Sequence, residues 1–275
     1  MATPILHRQH VKYAKMEIGI AQALLDAGAG SLVGFSLGIV GGGGSILAVP
    51  LLIYVVGVAD AHLAIGTSAV AVATNAAINL ANHARSGRVK WPCALLFAAA
   101  GVAGAALGSI AGKAMDGQKL LALFAVLMIV VGVLMLRGLN YQGDASVRLG
   151  RGNAGKIAGV GLATGTFAGF FGIGGGFLIV PGLVFSTGMP MLNAVASSLV
   201  AVTAFGLTTA ASYALSGMID WSIAAVFIAG GIAGGFLGAF LASRIARKRG
   251  ALNAVFATCI FVVAAYMLVR SLGAA

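Results

Sequence analysis

The chain has 275 residues, 60% of them hydrophobic and only 8% charged, with a net charge of +11. An ordinary soluble domain carries about 25% charged residues, so the composition excludes a soluble enzyme or binding module. The positive charge does not indicate nucleic acid either. The basic residues cluster in short stretches between apolar runs, "RSGRVK" (85–90), "VRLGRG" (147–152) and "RIARKRG" (244–250), as expected of cytoplasmic loops.

In chain order, residues 1–16 form a polar N-terminal segment without the apolar h-region or small-residue cleavage site of a signal peptide. Residues 17–136 hold five predicted apolar segments, at about 18–40, 45–58, 61–83, 92–112 and 119–136. A basic linker, 137–155, leads to a second set in 156–275, at about 156–172, 176–187, 190–214, 222–243 and 252–270. Several approach the roughly 17–25 residues needed to cross a bilayer, although the second of each set is short. The predicted fold class is an all-α polytopic membrane protein, multi-pass in the inner (plasma) membrane, with the lipid bilayer as its surroundings. Cys93 and Cys259 both lie in or beside apolar segments and make no disulfide framework.

The two sets are copies of one unit. "GIVGGGGSILAVPLL" (38–52) answers to "GFFGIGGGFLIVPGL" (169–183), "AIGTSAVAV" (64–72) to "AVASSLVAV" (194–202), and "GVAGAALG" (101–108) to "GIAGGFLG" (231–238). These landmarks recur in the same order at a nearly constant offset, which marks a tandem duplication. Five crossings per half would make the repeats inverted and four would make them parallel. Loop 85–90 has three basic residues while its counterpart 216–220 has none and carries Asp220; loop 113–119 is nearly balanced while 244–250 has four. Opposite bias in equivalent loops favours inverted repeats.

Each half places a glycine cluster inside apolar sequence, "GGGGS" (41–45) and "GIGGG" (172–176). Irregular backbone at membrane depth is tolerated where it is buried in protein or lines a polar cavity. Broken half-helices are therefore expected, meeting near the midplane. A helix N-terminus carries unpaired N–H groups and partial positive charge, and glycine gives a ligand access to it, so the pair would suit a small anion. The alternative is that the glycines simply permit close helix packing. Pro50 and Pro181 are expected to end or kink the short helices.

With "GGGGSILAVPLL" and "AIGTSAVAV" in the first half, and "GIGGGFLIVPGL" and "ASSLVAV" in the second, the chain resembles the TauE/SafE sulfite exporters, also called TSUP permeases. The likeness covers about 34–136 and 165–270. It implies a multi-pass inner-membrane transporter of sulfite or small organosulfur anions. The second half departs from the first in having "VASSL" where the first has "IGTSA".

Candidate substrate-binding residues are Gly41, Gly42, Gly43, Gly44 and Ser45, with Gly172, Gly174, Gly175 and Gly176 opposite. Thr67, Ser68, Ser197 and Ser198 add hydroxyls that donate to an anion oxygen or bond back to the preceding helical turn. Asn75 and Asn79, four residues apart, share a helix face; they line the substrate path or bond between helices. Asp26, an acid within a predicted span, is the candidate for proton coupling; the other reading is an interfacial helix break. The ladder Ala100, Gly104, Gly108 and Gly112, repeated as Gly230, Gly234 and Gly238, is assigned to close helix packing.

No nucleophile elbow, HExxH or Walker sequence occurs, so no enzymatic activity, metal or cofactor is expected. The expected function is secondary transport of a sulfur-containing anion, as export by alternating access. The alternative is a passive anion channel, or a permease for another small carboxylate or oxyanion. Homo-oligomerisation is left open.

Overall fold

The computed structural model describes residues 19–137, 143–144, 147–172 and 176–245, with 261, 263–266 and 269. Among the described residues every regular element is helical. Helix α1 (Ile20–Val40) is followed by one helical run of changing pitch: a 3-10 stretch Gly41–Leu47, α2 (Ala48–Leu51) and a π turn Leu52–Val56. Helices α3 (Ala61–Arg85), α4 (Trp91–Ala114) and α5 (Gly117–Arg137) complete the first set. The second set is α6 (Arg151–Phe171), α7 (Gly176–Thr187), α8 (Met191–Ala214) and α9 (Trp221–Ile245). The expected tenth segment falls almost wholly outside the described residues. By length and composition α1, α3, α4, α8 and α9 can cross a bilayer.

The chain reverses at glycine, not at proline. Gly41 has φ +69° and Gly172 φ +67°, values that side chains other than hydrogen rarely adopt. After Gly41 the chain folds back on α1: a Cβ on Gly44 would meet Ser36, and Gln22 Nε2 donates to the Val56 carbonyl at 3.0 Å. After Gly172, α7 folds back on α6, with Gly182 against Val160 and Thr164 and the Lys156 ammonium over the Phe185 ring. Pro50 and Pro181, expected to end or kink the short helices, do not end the helical run. Helical backbone continues past both, into the π turn after Pro50 and to Thr187 after Pro181. A proline removes one donor, which a helix can survive where neighbouring helices cover the freed carbonyl.

The glycine ladders set the packing. A Cβ on Gly30 or Gly34 would run into the backbone of Phe227 or Gly231, and one on Gly234 or Gly238 into that of Ser31 or Phe35. Helices α1 and α9 therefore lie side by side, parallel and in backbone contact. Gly161 and Gly165 meet Phe97 and Gly101, and Gly104 and Gly108 meet Leu162 and Thr166, so α6 and α4 pack the same way. Small residues at this spacing let helices approach where lipid gives no hydrophobic incentive to associate. At the centre α3 and α8 run antiparallel: Gly66 abuts Tyr213 and Met218, Gly206 abuts Ala69 and Ala73, and Ser197 lies at Lys90.

Charge separates the two ends of this bundle. One end gathers Arg85, Arg88 and Lys90 with the linker, whose Asp144 N–H donates to the Gly188 carbonyl, and with Asn193, whose amide donates to the Arg88 carbonyl. The other end gathers three aspartates, each an N-cap satisfying orphan N–H groups. Asp60 Oδ1 accepts from His62 and Leu63, Asp116 Oδ1 from Gln118 and Lys119, and Asp220 Oδ1 from Ser222 and Ile223.

Candidate functional site

The tips of the two reversals meet. A Cβ on Gly42 would come within 2.6 Å of the Gly176 Cα, and one on Gly41 within 2.6 Å of the Val195 side chain. Gly42 N–H points to Ser198 Oγ at 3.4 Å, and Ser45 Oγ donates back to the Gly42 carbonyl at 2.9 Å. Gly172 sits against Ile65, the mirror of Gly41 against Val195. Gly41, Gly42, Gly44, Ser45, Gly172, Gly176 and Ser198 are thus brought together, buried, where two helical runs begin head to head. Each helix beginning carries partial positive charge. Gly43 lies within the same 3-10 stretch; Gly174 and Gly175 lie outside the described residues.

The other hydroxyls take a different place. Thr67 Oγ1 accepts from the Asp220 N–H at 3.0 Å, and Ser197 Oγ from the Lys90 N–H at 2.9 Å. These equivalent residues tie the loops that precede α9 and α4 to the central helices. Ser68 and Ser198 both donate to the carbonyl three residues back, Ile65 and Val195, at 2.9 and 2.8 Å. The partner of Ser68 equivalent to Gly42 would be residue 173, outside the described residues.

Asn75 and Asn79 face α9 rather than the junction. Both are buried, Asn75 against Gly231 and Asn79 against Gly235, and Asn79 Nδ2 donates to the Asn75 carbonyl at 2.9 Å. Asp26 is fully buried on the inward stripe of α1 with Ala29, Val33 and Leu37, and among the described residues neither of its oxygens has a hydrogen-bond partner. Its position in the second half is Ile157.

Sequence reading missed two features at the acidic end. A cavity of about 500 Å³ is lined by Tyr54, Asp60, His62, Asp116 and Gln118, among others. Beside it Lys113 Nζ donates to the Ser212 carbonyl and to Ser216 Oγ, both at 3.0 Å, and lies over the Tyr213 ring. Both are assembled from segments far apart in sequence, so only chain folding reveals them. Among the described residues no group of three or more His, Cys, Asp or Glu is arranged to hold a metal.

The family model described as "Sulfite exporter TauE/SafE" matches residues 27–267. A "Probable membrane transporter protein" of Xylella fastidiosa (strain 9a5c) is 51% identical over 257 residues, covering 92% of this chain and 97% of that protein. "Probable membrane transporter protein YunE" of Bacillus subtilis is 27% identical over 232 residues, covering 77% of this chain and 82% of its own. "Probable membrane transporter protein MJ0441" of Methanocaldococcus jannaschii is 29% identical over 179 residues, 61% of this chain and 64% of that one. No solved structure matches the chain. The family match and the Xylella likeness run across both halves and both glycine clusters, and the relatives are named as transporters, not enzymes. The chain is a multi-pass membrane transporter of the sulfite exporter TauE/SafE family.

Proposed function

We propose that this transporter moves a small sulfur-containing oxyanion, sulfite or an organosulfonate, out of the cell across the inner membrane by alternating access. The observation that carries the reading is the head-to-head meeting of Gly42 and Gly176. Two helical runs starting at one buried point present N–H groups and like partial charges, which an anion neutralises without a buried Lys or Arg. The printed family description, sulfite exporter, supports the choice of anion.

Alternating access in this reading rests on inverted repeats. The equivalent helices α3 and α8 run antiparallel, and the two helical hairpins enter from opposite ends of the bundle, an arrangement that supports an axis in the membrane plane. The end bearing Arg85, Arg88 and Lys90 then faces the cytoplasm. Asp26, buried and unpartnered on α1, is proposed as the proton-coupling residue. Ser198, beside Gly42, donates to the anion when it arrives.

Flux in proteoliposomes tests the proposal. Sulfite or a sulfonate should move saturably and compete with its own unlabelled form, without unitary current steps. Movement of cations alone, or discrete single-channel currents, would overturn it.

A further inference from the structure

The two halves differ where their symmetry predicts sameness. Asn75 rests on bare Gly231, and the equivalent Phe205 rests on bare Gly101. Phe205 fills its seam, stacked on Phe97 with ring centroids 6.3 Å apart and both rings fully buried. Asn75 does not fill its own in the same sense. Asn75 is 1% exposed, and among the described residues neither its Oδ1 nor its Nδ2 has a hydrogen-bond partner. A crevice runs along this α3–α9 seam past Asn75, Asn79, Asn82 and Gly235, and it is too narrow to admit a water-sized sphere.

A buried amide without partners is unfavourable, because it gave up hydration and received nothing in exchange. It is satisfied when the seam parts and water or an oxyanion enters. Gly231 and Gly235 offer no side chains there, so a small separation of α3 from α9 opens the slot. Asn75, Asn79 and Asn82 follow one face of α3 at helical spacing, from the middle of the bundle toward its basic end, where Arg85 and Arg88 follow. An amide NH2 donates to oxyanion oxygens, and a basic rim draws anions toward it.

We infer that the α3–α9 seam is the anion's access path from the basic end, with Asn75, Asn79 and Asn82 as successive donors, and that the equivalent α8–α4 seam, closed by Phe205 on Phe97, is not a path. This rests on the reading of the protein as an oxyanion transporter and adds the route and its one-sidedness.

Single cysteines at Asn79, Asn82, Thr209 and Ser212, in a full-length chain with Cys93→Ala and Cys259→Ala, test it in sealed vesicles of either orientation. The probes are one anionic and one cationic membrane-impermeant methanethiosulfonate. Asn79→Cys and Asn82→Cys should label from the basic face, faster with the anionic reagent, and added sulfite should slow the labelling. Thr209→Cys should label from neither face. Labelling of Thr209→Cys as readily as Asn79→Cys, or no labelling of Asn79→Cys from the basic face, overturns the inference. Labelling of Asn79→Cys without any effect of sulfite or of reagent charge upholds the path and tells instead against the oxyanion.

Discussion

At the scale of single residues, hydroxyls and carboxyls of similar burial do different work because of what they touch. Thr67 and Ser197 hold the N–H groups of Asp220 and Lys90. Removing the acceptor leaves a donor unpaired, so Thr67→Val and Ser197→Ala should each lower stability by about 1–3 kcal/mol. Thr67→Ser should recover most of it. Denaturant unfolding of the detergent-purified variants is the check, and undiminished stability in Thr67→Val would remove this role. Asp26 has a separate expectation: Asp26→Asn should leave the fold intact and abolish the dependence of flux on a pH gradient, read in proteoliposomes with the gradient imposed and collapsed. The partners of Thr67 and Ser197 are 153 and 107 positions away in sequence. Helical periodicity speaks only about neighbours three and four residues apart, so the sequence marked these hydroxyls as buried and polar without showing what they hold.

At the scale of elements, the apolar segments were legible because most are long, nearly uncharged and bounded by loop residues. The expected 61–83 and 190–214 are α3 and α8 to within a few residues. The breaks were expected at the glycine clusters and lie there, while the doubling back of the chain at them was not legible. Proline and glycine both break helices, and their relative weight depends on whether the turn needs φ > 0, which Gly41 and Gly172 supply. The ladders were read as packing surfaces, and the backbone contacts of Gly104, Gly108, Gly234 and Gly238 bear that out. Position decides what a glycine does, and this gives a paired expectation. Gly34→Leu or Gly165→Leu would drive a side chain into a facing backbone and should abolish monodisperse protein. Gly159 in α6 has nothing within 4 Å of an added Cβ, so Gly159→Ala should be neutral or stabilising by up to about 1 kcal/mol. Size-exclusion profiles with thermal unfolding separate the two outcomes; equal damage from both would mean that helix contact is not what the ladders provide.

At the scale of the whole molecule, the duplication was plain in the sequence, while the exchange between halves was not. The first helix of each half packs on the fourth of the other, α1 on α9 and α6 on α4, so neither half holds its own ladder contacts. A repeat in sequence carries no statement about which copy each surface faces. The expected consequence is that the halves expressed separately should not fold alone and should recover transport when co-expressed, as measured by sulfite flux. The hairpin tips at Gly42 and Gly176 are the proposed anion site. The measurement that meets it most directly is the location of bound selenite, a heavier stand-in for sulfite, by anomalous diffraction from crystals of the intact transporter. A peak is expected within hydrogen-bonding reach of the Gly42 N–H and the Ser198 hydroxyl. A peak confined to the acidic-end cavity beside Asp60, His62 and Asp116, with nothing at the glycine junction, would contradict it.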